Sequence, residues 1–329
     1  MARAPIELIG GELHVPGSVL FLDARRRMEC AFVSHAHGDH IGRHDRTIAT
    51  PATVALMRHR LGERARGEAL PAAYRSPFGL GDLTLELFPA GHVLGSAQLR
   101  VARNGTAIGY TGDLCLEPTL TAEPAETMPC DVLVMESTFG LPRFVFPPKD
   151  EVLAGVRRFV DDALSDSATP VLLAYTLGKA QEILKFLGGA GYRCRAHPLV
   201  HGVNRVYEAL GVELPNVRPL GPEGAAADEV VVAPPHLRGS AAVSRARRRR
   251  TAVLTGWALE GGRFQWRGVD AAFPLSDHAD FPALLRYARA TGAGRVFTLH
   301  GYAEELARAL RHEGIRAEPL REQRQLELL

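Results

Sequence analysis

The order of apolar and polar residues predicts a β-rich first part of the chain. Apolar runs of strand length, separated by glycine-containing turns, occur at 6–9, 18–22 and 83–87. Residues 50–66 follow a helical pattern instead, with Thr50 as the cap and Pro51 in the first turn. We therefore expect short strands with one intervening helix in this part.

From about residue 141 the pattern changes to alternating helices and strands. Helices are predicted at 149–164, 178–187, 201–210, 281–289 and 303–313. Strands are predicted between them at 170–175, 229–233, 251–256 and 295–299. This alternation is typical of an α/β protein.

Several of the predicted strands end in the same way, with a titratable side chain in a turn that contains Gly or Ser. The residues placed like this, as Asp39 is in its own loop, are His92, Asp113, Glu136, His278 and His300, and Asp23 directly follows the run at 18–22. Turns at strand ends gather on one edge of a sheet, where binding and catalytic residues are commonly found. We therefore expect these side chains to converge.

One segment concentrates metal-ligand side chains within a few residues. It is His35-Ala36-His37-Gly38-Asp39-His40, and it follows the apolar run 30–33. Imidazole nitrogen and carboxylate oxygen are donors that zinc and manganese accept, and a fold gains little stability from crowding three imidazoles together. The segment therefore predicts a metal site.

Composition limits the remaining possibilities. The chain has 329 residues, a 46% hydrophobic fraction and a net charge of only +2, which gives no overall electrostatic commitment to nucleic acid. Lysine occurs only at 149, 179 and 185, so arginine supplies nearly all of the 39 basic residues. Four scattered cysteines, and the lack of a signal-like or long apolar segment, predict a cytoplasmic protein without membrane contact.

The complete motif set resembles the metallo-β-lactamase fold, and specifically its β-CASP nuclease branch. Asp23 matches the first motif of that family, the segment 35–40 the second, His92 the third and Asp113 the fourth. Three further motifs that mark β-CASP members are matched by Glu136, His278 and His300. Residues 175–182 are similar to the A-L-G-R-A-Q-E segment of the same branch, with Lys179 in place of the usual Arg.

This resemblance implies an architecture. We expect an α/β protein with a four-layer αββα metallo-β-lactamase fold that carries an inserted α/β β-CASP domain. The metallo-β-lactamase domain would comprise residues 1–140 and 269–329, and the insertion would comprise 141–268.

The resemblance also implies a centre with two divalent ions, zinc or manganese. One ion would be held by His35, His37 and His92, and the other by Asp39, His40 and His300. Asp113 would bridge both ions. Asp23 would support a ligand histidine from behind and fix its tautomer.

The remaining motif residues would carry proton transfer. His278 would protonate the leaving oxygen as the general acid, Glu136 would orient it, and Asp39 would accept a proton from the attacking water. In the motif that contains His278, Asp277 departs from the form common in RNA-processing members. Its carboxylate would raise the pKa of His278 or contact a metal ligand.

The segments 276–280 and 255–258 look most like bacterial exonucleases encoded beside ATP-dependent DNA ligases. We therefore expect an exonuclease for single-stranded DNA in DNA repair, with DNA favoured over RNA and a functional association with ligase and helicase. An RNA-processing nuclease is the alternative. A small-molecule hydrolase is disfavoured by the insertion and the separate acid, and a binding protein with an inactive site is disfavoured by the complete ligand set.

Candidate substrate contacts each have a structural alternative. Ser137 and Thr138 would contact phosphate or only cap a strand end, and Thr176 and Lys179 would bind an anion or only begin a helix. A terminal-phosphate pocket is proposed for His236, Arg238 and Ser240. The basic run at 245 and 247–250 would follow the nucleic-acid backbone or form a solvated face, and Trp257 or Trp266 would stack on a base.

Overall fold

The computed structural model of the chain describes residues 6–245, 248–260 and 268–321. The chain divides into two compact units. Unit 1 comprises Met1–Pro118, Ala122–Val145 and His278–Leu329, and unit 2 comprises Thr119–Thr121 and Phe146–Asp277. Within the described ranges, no helix has the length and apolar character needed to cross a membrane. The domain boundaries drawn from the resemblance stay a prediction.

In unit 1 the first six strands form one sheet in sequence order. They are β1 (Glu7–Ile9), β2 (Glu12–His14), β3 (Leu20–Leu22), β4 (Cys30–Phe32), β5 (Arg46–Ala49) and β6 (Glu68–Pro71). The first three strands pair antiparallel, whereas β3, β4, β5 and β6 pair parallel. Because β3 and β4 are parallel neighbours, the residues that follow them leave the sheet at the same edge.

The second sheet of unit 1 combines strands from both ends of the chain. Its order is β19 (Ala317–Pro319), β18 (Arg295–Leu299), β11 (Val132–Glu136), β10 (Thr106–Tyr110), β9 (Ala97–Arg103), β8 (Leu83–Pro89) and β7 (Phe78–Leu80). The strands β10, β11 and β18 are parallel to one another. Glu136 and the residues that follow β10 and β18 therefore lie at one edge of this sheet.

Apolar side chains from the two sheets share one core. Leu22 and Phe32 of the first sheet belong to the same buried cluster as Leu85, Leu99 and Tyr110 of the second. The helices α6 (Phe281–Ala290) and α7 (Ala303–His312) bury Leu284 and Leu306 in another cluster, together with Leu133 and Met135 of β11. The second sheet is therefore buried on both faces.

The helix predicted at 50–66 is shorter in the structure. Helix α1 covers Pro51–Leu61, and the Thr50 hydroxyl accepts the Thr53 N–H at 3.1 Å as the predicted cap. The helix ends at Gly62, whose φ of 55° is left-handed and is reached by glycine at little cost. A 3₁₀ turn, Gly62–Arg64, and the edge strand β6 occupy the rest of the predicted helical range.

Unit 2 contains a parallel sheet with helices. The strands run in the order β14 (Val217–Pro219), β13 (Arg193–Ala196), β15 (Glu229–Ala233), β12 (Thr169–Leu173), β16 (Arg249–Leu254) and β17 (Ala271–Phe273). The helices are α2 (Lys149–Ser165), α3 (Lys179–Gly189), α4 (Pro198–Ala209) and the short α5 (Ala241–Ser244). Two separate apolar clusters cover the faces of the sheet. The predicted α/β alternation is confirmed, and the chain is a mixed α/β protein with several sheets.

Candidate metal centre

The histidine-rich segment lies in a loop that backbone hydrogen bonds hold at both sheets of unit 1. The Val33 N–H donates to Ile48 O at 2.9 Å, and the Ala97 N–H donates to Ser34 O at 2.8 Å. These bonds fix the backbone immediately before His35. The His35 side chain is fully buried and His40 is 5% exposed, so both rings have a defined position.

Four ligand atoms from three loops converge. His37 Nδ1 lies 3.0 Å from His35 Nε2 and 3.0 Å from His92 Nε2. The Oδ2 atom of Asp113 lies 3.4 Å from His35 Nε2 and 3.7 Å from His92 Nε2. All four side chains offer an atom within 4.8 Å of the others. The strand-end loops after β4, β8 and β10 therefore supply one compact group.

The geometry of this group fits a divalent ion. Atoms bound to a tetrahedral zinc at about 2.0–2.1 Å lie about 3.3 Å apart, close to the separations found here. Three imidazoles and one carboxylate are a donor set that zinc and manganese accept. The Asp113 carboxylate, the buried His35 and His92 and the partly exposed His37 can hold a metal ion with small adjustments of the side chains.

The second proposed ligand set is more open. His40 Nε2 lies 3.4 Å from Asp113 Oδ2 and 3.9 Å from Asp39 Oδ2. The ring centroids of His40 and His300 are 6.2 Å apart. His40 and Asp113 thus face each other closely, whereas Asp39, with a 73% exposed side chain, and His300 lie at the periphery.

Asp23 is a hydrogen-bond centre behind these ligands. Its φ of 46° turns the chain directly after β3. Its carboxylate accepts the Ser34 N–H and hydroxyl, both at 2.6 Å, and the Tyr110 hydroxyl at 2.7 Å. His40 Nδ1 lies 2.9 Å from Oδ2 of the same group. Asp23 therefore orients His40, and sequence reasoning missed the two supporting residues Ser34 and Tyr110.

Glu136 holds His278 beside the group. His278 Nδ1 lies 3.1 Å from each carboxylate oxygen of Glu136, and His278 Nε2 lies 3.9 Å from Asp113 Oδ2. The Leu114 N–H also donates to Glu136 at 2.5 Å. Glu136 is 1% exposed, so this carboxylate has a fixed orientation.

The buried charges shift several pKa values. Burial and the neighbouring imidazoles lower the pKa of His35 well below its ordinary value, so the ring is neutral and can bind a cation. Burial raises the pKa of Asp113 to about 6, although His40 and His278 oppose the shift. Burial disfavours charged His40, but the carboxylates of Asp113 and Asp23 outweigh it and raise its pKa to about 10.

Ser137 and Thr138 have partners inside unit 1. The Ser137 hydroxyl lies 2.9 Å from Leu299 O and 2.6 Å from His300 O, and its side chain is fully buried. The half-buried Thr138 has a side-chain hydrogen bond to Glu136, which helps to lower the pKa of that carboxyl group. In this structure both residues support neighbouring site residues.

In unit 2 Lys179 is buried and bound to a carboxylate. Its ammonium forms an ion pair with Asp277, and the two residues are 5% and 2% exposed. The Lys179 Nζ atom also lies 5.2 Å from the centroid of the Tyr175 ring. Lys179 is therefore not presented to solvent as an anion contact, and Asp277 is neutralised by it. Thr176 is half-buried in the loop before α3.

The other proposed contacts in unit 2 follow β15. His236 and Arg238 are exposed, and Ser240 precedes α5. Arg248 donates to Asp166 O at 2.8 Å, and Arg250 lies 3.7 Å from the Asp166 carboxylate, so part of the basic run is paired within the unit. Arg247 and Trp266 lie outside the described residues.

Three relatives show what the chain is similar to, although no protein-family model matches it. A probable DNA ligase of Opitutus terrae is 41% identical over 318 residues, which are 96% of this chain and 31% of that protein. RNase aCSPSF2 of Saccharolobus solfataricus is 28% identical over 184 residues, covering 47% of this chain and 37% of that protein. An uncharacterized protein in the lig 3′ region of Acidianus ambivalens is 34% identical over 119 residues, covering 35% of this chain and 79% of that protein.

The nuclease names of several relatives, together with the motif set, support a metallo-β-lactamase-fold β-CASP nuclease family for this chain. The chain spans 31% and 37% of the lengths of the Opitutus and Saccharolobus proteins. The group of His35, His37, His92 and Asp113, in which only His37 is partly exposed, agrees with the divalent metals that relatives of this fold imply.

Proposed function

We propose that the chain is a two-metal-dependent nuclease that hydrolyses single-stranded DNA from an end. The main support for this proposal is that a metal-ligand group and an oriented histidine lie side by side. A convergent metal-ligand group, centred on Asp113, lies 3.9 Å from the Nε2 atom of a histidine that a buried glutamate orients. A hydrolase needs both a centre for the attacking water and a proton donor for the leaving group.

One ion would be held by His35, His37 and His92, and the other by Asp39, His40 and His300. Asp113 would contact both ions. Two zinc or manganese ions held by these residues would supply Lewis-acid activation of the attacking water and would neutralise charge on a phosphodiester. Behind these ligands, the Asp23 carboxylate binds the Nδ1 atom of His40. This contact keeps the Nε2 atom of the same ring directed at Asp113.

The proton donor in this proposal is His278. Its Nδ1 is held by the Glu136 carboxylate, which favours the protonated ring and leaves Nε2 as the donor to the leaving oxygen. Asp39 would accept the proton of the attacking water, because its exposed carboxylate stands beside His40. Partial burial alone would raise the pKa of Asp39, but the His40, His37 and His300 imidazoles and a backbone hydrogen bond together lower it, so Asp39 is ionised and able to act as a base.

The names of two relatives support DNA as the substrate in this proposal. The Opitutus protein is named a probable DNA ligase, and the Acidianus protein is named from its position beside lig. On this basis we propose a cytoplasmic repair exonuclease of the ligase-associated type, with the four-layer fold and the inserted β-CASP domain. RNase aCSPSF2 and a ribonuclease of Thermus thermophilus favour the second candidate, an RNA-processing nuclease, since both are named as acting on RNA.

End-labelled strands test the proposal. Purified protein loaded with zinc or manganese is incubated with DNA and RNA of the same sequence, labelled at either end, and with a circular DNA strand. We expect the linear DNA to be shortened from one end, the circle to stay intact and RNA to turn over more slowly. Equal or faster turnover of RNA contradicts the DNA assignment, and fragments from the circle contradict the exonuclease assignment.

A further inference from the structure

A cleft with about 400 Å³ of empty volume opens to solvent in unit 1, apart from the metal-ligand group. One side of the cleft is formed by α1 and the 3₁₀ turn that follows it. The other side is formed by residues around β6. The apolar side chains of Val54, Met57 and Leu61 line part of it. None of the proposed substrate contacts is among its lining residues.

The charges of this cleft are strongly unbalanced. Four exposed arginines, Arg43, Arg58, Arg64 and Arg66, line it, and Glu68 is the acidic residue of the lining. Arg66 Nε lies 3.3 Å from Glu63 O. Arg43, Arg58 and Arg64 form no ion pair with any residue in the ranges that the structure describes. Asp45, the nearest acidic residue in sequence to Arg43, is bound by Arg27 at 2.5 Å.

The same surface reaches the metal-binding loop. The Arg60 guanidinium lies against Gly38, because a Cβ atom on Gly38 would come within 3.0 Å of Arg60 Nη2. Gly38 separates the proposed ligands His37 and Asp39, and Arg43 follows His40 by three residues. Helix α1 therefore places one guanidinium against the metal-binding loop, and Arg43, three residues beyond that loop, lines the cleft.

We propose that this arginine cleft binds the sugar-phosphate backbone of the nucleic acid, outside the reacting bond. The inference rests on the proposed nuclease function and names a second binding surface for its substrate. A guanidinium group can bind two phosphate oxygens at once. Arginines that have no carboxylate partner remain available for such contacts. The apolar residues give sugars and bases a surface to pack on, which a site for a small free anion does not need.

A double variant, Arg58→Gln with Arg64→Gln, tests the inference by binding. The metal-loaded protein is titrated with a fluorescent phosphorothioate oligothymidine, which keeps the backbone charge and resists hydrolysis, at several salt concentrations. Loss of two phosphate contacts on a single strand is expected to reduce the slope of log K against log salt by about 1.4. The matched control is Arg286→Gln with Arg308→Gln. Both arginines are exposed, on α6 and α7 of the same unit, and the two substitutions remove the same amount of charge.

An unchanged slope in the Arg58/Arg64 variant, or an equal loss in the control, overturns the inference. Hydrolysis of a chromogenic phosphodiester of one nucleotide separates this outcome from failure of the proposed function. The Arg58/Arg64 variant should keep wild-type kcat and KM on that small substrate and show a raised KM on the polymer. A wild-type protein that binds the strand but cleaves neither substrate refutes the nuclease proposal and leaves the binding result to decide the inference.

Discussion

The Nδ1 atom of His278 lies 3.1 Å from both carboxylate oxygens of Glu136, although 142 residues separate them in sequence. Glu136 ends β11, and His278 begins the segment that leads into α6. The pair places a proton donor beside Asp113 with one ring nitrogen already fixed. A structural histidine would not need its second nitrogen to face a metal-ligand carboxylate 3.9 Å away.

Replacing Glu136 by Gln should reduce kcat by about 10²–10⁴-fold, the range of an oriented general acid. The interaction with His278 helps to lower the pKa of Glu136, and the same attraction favours the protonated ring, so loss of the carboxylate should also move the alkaline limb of the rate profile to lower pH. Rates between pH 5 and 10, with metal content measured on the same samples, check the prediction. A uniform drop in rate with an unshifted profile contradicts the proposed orientation of the acid.

Asp23→Asn should weaken metal binding by about 10–100-fold, the usual effect of losing a group that orients a ligand histidine. The amide cannot accept from Ser34, Tyr110 and His40 together, because one of its two atoms is a donor. Competition with a chelator measures the affinity. The control is Asp82→Asn, whose 66% exposed carboxylate pairs with Arg103 in the same unit. An Asp23 variant with wild-type affinity contradicts the support of His40.

Metal binding should release protons and become tighter as pH rises. In the metal-free protein the pKa of His40 is about 10, so its ring is protonated at pH 8 and must lose that proton to bind. Above pH 10 this proton is already absent, and its release should disappear. Calorimetric titrations in two buffers of different ionisation enthalpy measure the proton count. The release at pH 8 should fall by about one proton in His40→Gln, and no change in that variant contradicts the assignment of His40 as a ligand.

The ligand loop was predictable because its chemistry is local. Residues 35–40 place three imidazoles in six positions, and the strand-end positions of His92, Asp113 and Glu136 were visible as polar residues after apolar runs. The parallel strands β10 and β11 then bring two of these ends to the same sheet edge, as strand geometry requires.

The supporting contacts were not predictable, because they depend on which distant residues the fold buries together. Tyr110 reaches Asp23 across 87 residues, and Lys179 reaches Asp277 across 98. The sequence showed Lys179 only as a cation near a helix start, and its burial depends on the packing of unit 2. The arginine cleft was hidden for a related reason, since the sequence predicts one continuous helix at 50–66, whereas α1 ends before Gly62.

The most direct measurement is the activity and metal content of His278→Ala. We expect this variant to keep both ions and to lose hydrolysis of single-stranded DNA by at least about 10²-fold, because the ring serves as proton donor and not as ligand. His312→Ala, an exposed histidine at the end of α7, should match the wild type in both measurements. Loss of metal from His278→Ala, or unchanged hydrolysis with both ions present, would contradict the assignment of His278 as the proton donor.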